Sequence, residues 1–232
     1  MNSMDPADQE DFFMEQLEEK LLASALKNHK GETGDAYIEE SLRQMRILLD
    51  YMKKKYPHAD MEYSYFEPYV KTTEYGVLCG NLKGSGIIHK IIIRRVPQAD
   101  VCRDDVYGEV IRKEYDQRLS GLLSAFIGPV KTFTVFFTLT SAEMNENNAM
   151  KLALEHHPAY GRHIDVFAEN PFEVNDLLKF ELAENGFWGA YTVYVIQKGW
   201  QGDGDVSKRY ENAKELMHFR IDEKDYGFME AS

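Results

Sequence analysis

Apolar residues recur at helical spacing near the N-terminus and at strand spacing in the middle of the chain, a pattern that predicts a mixed α and β protein. Phe13, Leu17, Leu21 and Ala25 stand four apart and predict a helix over about 8–28. Asp5 and Pro6 suit its start, while Lys27, His29 and Lys30 gather where terminal carbonyls favour positive charge. Beyond Gly31 and Gly34, Ile38, Leu42, Met45, Leu49, Met52 and Tyr56 alternate in steps of four and three and predict a second helix. Lys53, Lys54 and Lys55 close its last turn and Pro57 stops it. Two helices joined by so short a connection are expected to pack antiparallel.

After Pro57 the period changes. Met61 to Tyr69 reads as a strand, and Gly76 to Leu82 and Gly86 to Arg95 flank a hairpin turn at Lys83-Gly84-Ser85. Ile111, Tyr115, Leu119, Leu122 and Phe126 predict a helix between Arg103 and Ile127, its start open to delay by Gly108. Val130 to Thr140 alternates. Phe133, Val135, Phe137 and Leu139 take one face, and a threonine-rich face is free to meet water or line a groove. A short helix is expected around Ala149 to Glu155. His163 to Ala168, Pro171 to Glu184 and Phe187 to Lys198 read as strand, helix and strand, a unit that makes the two strands parallel within one sheet. A final helix is expected from Ser207 to about Asp222. The class is α+β: a mixed sheet of about five or six strands, packed by the N-terminal antiparallel helix pair and two or three further helices. Residues 1–232 are expected to form a single domain, with 1–128 and 129–232 as sub-lobes if it divides.

Composition narrows the function classes. A formal charge of −12 opposes broad binding to nucleic acid or to an anionic membrane. No stretch approaches the length of a membrane span, and two cysteines are too few for a secreted disulfide scaffold. The N-terminus is polar and acidic, so a cytoplasmic, soluble protein is expected.

Reactive constellations are weak. Gly80 to Gly86 is glycine-rich but lacks a Gly-Lys-Ser/Thr ending and is followed by a strand, so a turn explains it better than a phosphate loop. His156, His157 and His163, with Asp165, are the one grouping of ligand types suited to a metal, without helical spacing to align them. Gly202 to Asp205 lacks the distal glutamate of a calcium loop. Cys79 sits in an apolar run and Cys102 beside Arg103, neither in a cysteine-hydrolase context. Trp188, Tyr191, Tyr194 and Trp200 concentrate large aromatics on one strand and its exit, either as core or as a binding surface. The first expectation is therefore a non-catalytic binding or interaction protein with a protein partner or a second copy of itself, and no cofactor. The second is a small-molecule enzyme, a hydrolase with metal dependence as an option, built on the His156–His163 region.

Overall fold

The computed structural model describes residues 6–29 (side chains from residue 12), 31, 33–70, 74–155, 161–197, 200, 209–211 and 213–221. The fold is α+β, with five helices and eight strands in two separate four-stranded sheets among the described residues. This corrects the expected single sheet of five or six strands. The chain forms two compact units, 1–106 with 140–143, and 107–139 with 144–232.

The first unit opens with α1 (Pro6–Asn28) and α2 (Asp35–Lys55). Arg46 pairs with Glu18, and the Tyr37 hydroxyl lies 3.4 Å from the Ala25 carbonyl, so the two helices run antiparallel as expected. Met45, Leu48, Leu49 and Met52 of α2 are buried, while Ile38 and Leu42 lie at the margin. Ser41, Gln44 and Lys55 are also buried, so the core-facing stripe of α2 includes polar side chains that apolar periodicity does not register.

β1 (Met61–Glu67), β2 (Gly76–Leu82), β3 (His89–Val96) and β4 (Ala99–Asp104) form an antiparallel meander. The last strand occupies residues assigned from sequence partly to a helix. The outer edge of β1 meets α1, where Ser24 Oγ accepts the Phe66 N–H at 2.9 Å and Lys20 Nζ donates to the Tyr63 carbonyl at 2.9 Å. Unpaired strand groups are satisfied there by side chains rather than left as a template for aggregation.

The interior holds a buried ion pair. Lys55 Nζ donates to Asp104 Oδ2 at 2.6 Å and to Thr140 Oγ1 at 2.9 Å. Asp104 also accepts from Tyr51 and Tyr56 hydroxyls at 2.6 and 2.8 Å and from the Val106 N–H at 2.9 Å. Burial pushes the Lys55 ammonium below its ordinary pKa, and Asp104 opposes the shift. Thr140 exchanges backbone hydrogen bonds with Asp104, which ties residues 140–143 to this unit.

In the second unit, α3 (Tyr107–Ile127) leads into β5 (Val130–Phe136). A β-carbon at Gly108 would lie 2.4 Å from Phe136 Cβ, so glycine allows α3 to start at Tyr107 against the strand instead of starting late. The facing of β5 is the reverse of the threonine-out reading. Thr134 is buried and donates to Asp116 of α3 at 2.6 Å, and Thr132 donates to the Asp116 carbonyl at 3.0 Å. Val135 faces outward at 38 % exposure. Asp116 supplies acceptors that make an inward threonine face the satisfied arrangement.

α4 (Ala149–Glu155), β6 (Arg162–Ala168), α5 (Asp176–Glu184), β7 (Gly189–Ile196) and β8 (Ala213–Ile221) complete the unit. β6 and β7 are parallel, as the strand–helix–strand pattern predicts; β5 and β8 pair antiparallel at the two sides. Asn175 accepts from the Leu178 N–H at 2.9 Å and starts α5 well after Pro171. β8 replaces the predicted final helix. Its Ala, Lys, Glu and Leu are good helix formers, but Met217, Phe219 and Ile221 alternate inward and the ladder to β7 takes its backbone groups. Arg162 is buried without a carboxylate in hydrogen-bond reach among the described residues. It donates to the Tyr115 hydroxyl and the Ala153 carbonyl, both at 2.7 Å, and lies over the Tyr115 ring. Among the described residues no helix is long and apolar enough to cross a membrane.

Candidate functional site

The first unit contains a cavity of about 700 Å³, within the range of roughly 300–1,000 Å³ typical of small-molecule sites. Tyr37 of α2 and Pro68, Tyr69 and Val70 beyond β1 form its walls, with Arg94 and Arg95 of β3 among the lining residues. Tyr69 is held at every polar group. Buried Gln44 accepts the Tyr69 N–H at 2.9 Å and donates to its carbonyl at 3.2 Å. Arg43 donates to the Tyr69 hydroxyl at 2.7 Å, the hydroxyl donates to Asp100 at 3.1 Å, and the Arg95 guanidinium lies 5.3 Å from the ring centre.

Gly76 makes this clamp sterically possible, because a β-carbon there would lie 2.8 Å from the Tyr69 nitrogen and 2.9 Å from Gln44 Oε1. Burial and the neighbouring Asp100 charge push the Tyr69 phenol up to about 12, so it stays a neutral donor at physiological pH. The Arg43 hydrogen bonds hold Glu40 at about 2, so that carboxylate stays ionised. The hydrophobic pattern of the chain marks none of these residues as a site. The available signal was polar Glu40, Arg43 and Gln44 recurring at helical spacing beside the apolar stripe of α2.

The second unit displays a different arrangement on the sheet face opposite α3. Asp165 is buried and accepts from the Tyr210 hydroxyl at 2.6 Å; His163 Nε2 lies 3.1 Å from its other oxygen. Thr192 Oγ1 lies 3.2 Å from His163 Nε2 and 3.0 Å from His218 Nδ1, and His218 Nε2 lies 2.7 Å from Glu215. Glu215 and His218 are three apart on a strand, a spacing that normally separates faces. A register shift in the β7–β8 ladder at this point returns both to one face.

One proton order satisfies the whole chain. The carboxylate of Glu215 only accepts, so neutral His218 carries its proton on Nε2 and accepts the Thr192 hydroxyl at Nδ1. Asp165 likewise requires the His163 proton on Nε2, where the Thr192 oxygen shares it. Among the described residues His163 Nδ1 has no hydrogen-bond partner, and its side chain is 43 % exposed.

The structure separates the sequence-selected aromatics. Tyr191 is buried on the α3 side, donates to the Phe187 carbonyl and stacks on Phe219. Trp188 is half-buried. Tyr194 and Trp200 meet on the polar face, both stacked on Phe167, at 5.2 and 4.6 Å between ring centres. Trp200 Nε1 also donates to the Arg209 carbonyl at 3.2 Å, so these rings bind the 209–211 segment to the sheet.

His156, His157 and Gly202 to Asp205 lie outside the described residues. Among the described residues no three His, Cys, Asp or Glu side chains gather to hold a metal. Burial pushes both thiols up, Cys102 to about 11, which leaves them protonated and poorly nucleophilic near neutrality. Comparison of the chain with protein-family models, curated proteins and solved structures returns no match.

Proposed function

We infer that the protein is a non-catalytic binding protein, and that its ligand is a small organic molecule held in the cavity of the first unit. The observation that carries this reading is the cavity of about 700 Å³ whose aromatic wall, Tyr69, is fixed in backbone, hydroxyl and ring by Gln44, Arg43 and Arg95. Walls held by intramolecular hydrogen bonds lower the ordering cost of binding. The test is thermal unfolding across a panel of small amphipathic compounds, repeated with Ala36→Trp, which places an indole at a lining position exposed on α2. Ligand-dependent stabilisation present in the parent and lost in Ala36→Trp supports the reading. Identical behaviour of the two proteins across the panel sinks it.

A hydrolytic enzyme is the second reading, favoured by the Asp165–His163 pair. Asp165 orients the imidazole and leaves His163 Nδ1 toward solvent, as a general base for water requires. Thr192 is 1 % exposed, which makes a water nucleophile the better fit than its hydroxyl. Turnover of activated esters abolished by His163→Gln moves this reading to first place; equal rates in both proteins remove it.

A further inference from the structure

We propose that the cavity of the first unit selects an amphipathic organic anion, its carboxylate meeting Arg95 and its apolar body lying against Tyr37, Pro68, Tyr69 and Val70. The proposal rests on the cavity being the binding site and adds the ligand class.

It follows from how the charges around the cavity are already committed. Arg43 donates to both oxygens of Glu40 at 2.7 Å and to Asp100 at 2.5 Å, so its charge is taken. Glu40 accepts from Gln44 as well, and Asp100 from Tyr69, so both carboxylates are occupied at short range. Arg95 donates one hydrogen bond to Glu40 at 3.3 Å and lies 3.7 Å from Asp100, and its side chain is 59 % exposed. Arg94 lies 4.0 Å from Glu74, itself 80 % exposed. Arg95 therefore keeps guanidinium donors that none of these hydrogen bonds uses, at an exposed position on the cavity wall. A cationic ligand would have to displace Arg43 or rely on Glu74 at the rim.

The wider charge does not favour an anion, so the selection falls to the guanidinium at the cavity. The chain carries −12 and repels anions over most of its surface. Around the cavity, Arg43, Arg94 and Arg95 face Glu40, Glu74 and Asp100, with the Glu67 charge acting on Tyr37, so a carboxylate relies on direct contact with a guanidinium rather than on net local charge. The guanidinium fork is suited to bind such a group with two parallel hydrogen bonds. Tyrosine, proline and valine walls remove an alkyl or aryl body from water, at roughly 25 cal/mol per Å² of apolar surface.

The experiment is calorimetric titration of the full chain with octanoate, 1-octanol and octylamine, in the parent, in Ala36→Trp and in Arg95→Gln, with circular dichroism confirming that each variant folds. Octanoate is expected to bind at least about tenfold more tightly than the alcohol, with most of that margin lost in Arg95→Gln. Binding by both probes should disappear in Ala36→Trp. Octanol binding as tightly as octanoate, with both lost in Ala36→Trp, overturns the anion assignment and leaves the cavity reading standing. Preference for octylamine overturns the assignment in the same way. Binding of octanoate unchanged by Ala36→Trp, or no binding of any probe, overturns both. Arg95→Met is the second variant if Arg95→Gln fails to fold, with the same expected loss.

Discussion

In the first unit, polar side chains converge on single points, whereas on the sheet face of the second that lies opposite α3 they follow one another in a line. Asp104 collects Lys55, Tyr51, Tyr56 and the Val106 N–H; Tyr69 is pinned by Gln44, Arg43 and Arg95. On the sheet of the second unit, Tyr210, Asp165, His163, Thr192, His218 and Glu215 are linked serially, from a buried carboxylate to a surface one. Convergence fixes a wall and lets a neighbouring volume stay open. A line specifies the direction of protons and leaves its ends to solvent. The first arrangement suits holding a ligand, the second suits moving a proton.

Two of the buried cations, Lys55 and Arg162, give the strongest test. Lys55→Met leaves Asp104 buried without its charge partner and should lower stability by about 3–5 kcal/mol in urea denaturation. Arg162→Met leaves only neutral acceptors, the Tyr115 hydroxyl and the Ala153 carbonyl, and a loss of about 1–3 kcal/mol is expected. Equal losses would mean that convergence on a carboxylate does not distinguish the first unit energetically.

A smaller effect separates the cavity wall from ordinary packing. Gly76→Ala forces the Tyr69 backbone and Gln44 apart and should lose about 1–3 kcal/mol together with octanoate binding. Gly121→Ala, on an open stretch of α3 with nothing within 4 Å of the new carbon, should gain stability by up to about 1 kcal/mol. Should Gly76→Ala bind octanoate like the parent, the clamp on Tyr69 is not what shapes the site.

The line in the second unit is probed by Thr192→Val, which keeps the volume and removes the hydroxyl between the two imidazoles. A loss of about 1 kcal/mol is expected. In ¹⁵N spectra of the neutral rings, the parent should show His163 and His218 each as the Nε2–H tautomer. The variant should keep His218 as the Nε2–H tautomer, since Glu215 still accepts that proton at 2.7 Å. A mixture in the parent would break the proposed proton order.

These sites differ in how far the sequence reveals them. Helix α2 and the parallel β6–β7 pair are legible because apolar spacing records which residues leave water. Gln44, Ser41 and Lys55 leave water too, but as polar residues they register as surface in any hydrophobic pattern. The inward threonines of β5 mislead for the same reason, since only the position of Asp116 across the packing makes them core residues. Residues 213–221 read as helix because propensity is local, whereas their pairing with β7 is not. His163 and Asp165 were visible as residue types. Their link through Thr192 to His218 and Glu215 depends on a bulge that no spacing rule predicts.

The smallest expected effect carries opposite signs for stability and binding. Hydrogen bonds from Arg43 hold the Glu40 carboxyl at about 2, against an ordinary value of 4.5. Between these two values the unfolded chain takes up the proton first, so the stabilisation is whole above pH 4.5, declines as pH falls and is gone below about 2. The side chain is 36 % exposed, so solvent screening keeps the contribution small. Glu40→Gln should therefore flatten the acid limb of the stability profile only slightly. The same substitution removes the nearer of the two acids that Arg95 reaches, at 3.3 Å, and leaves Asp100 at 3.7 Å. Octanoate should consequently bind about two- to fivefold more tightly at neutral pH, the worth of one exposed ion pair. Weaker octanoate binding in Glu40→Gln would instead make Glu40 the group that positions Arg95 over Tyr69, and would turn a competitor for the guanidinium into part of the wall.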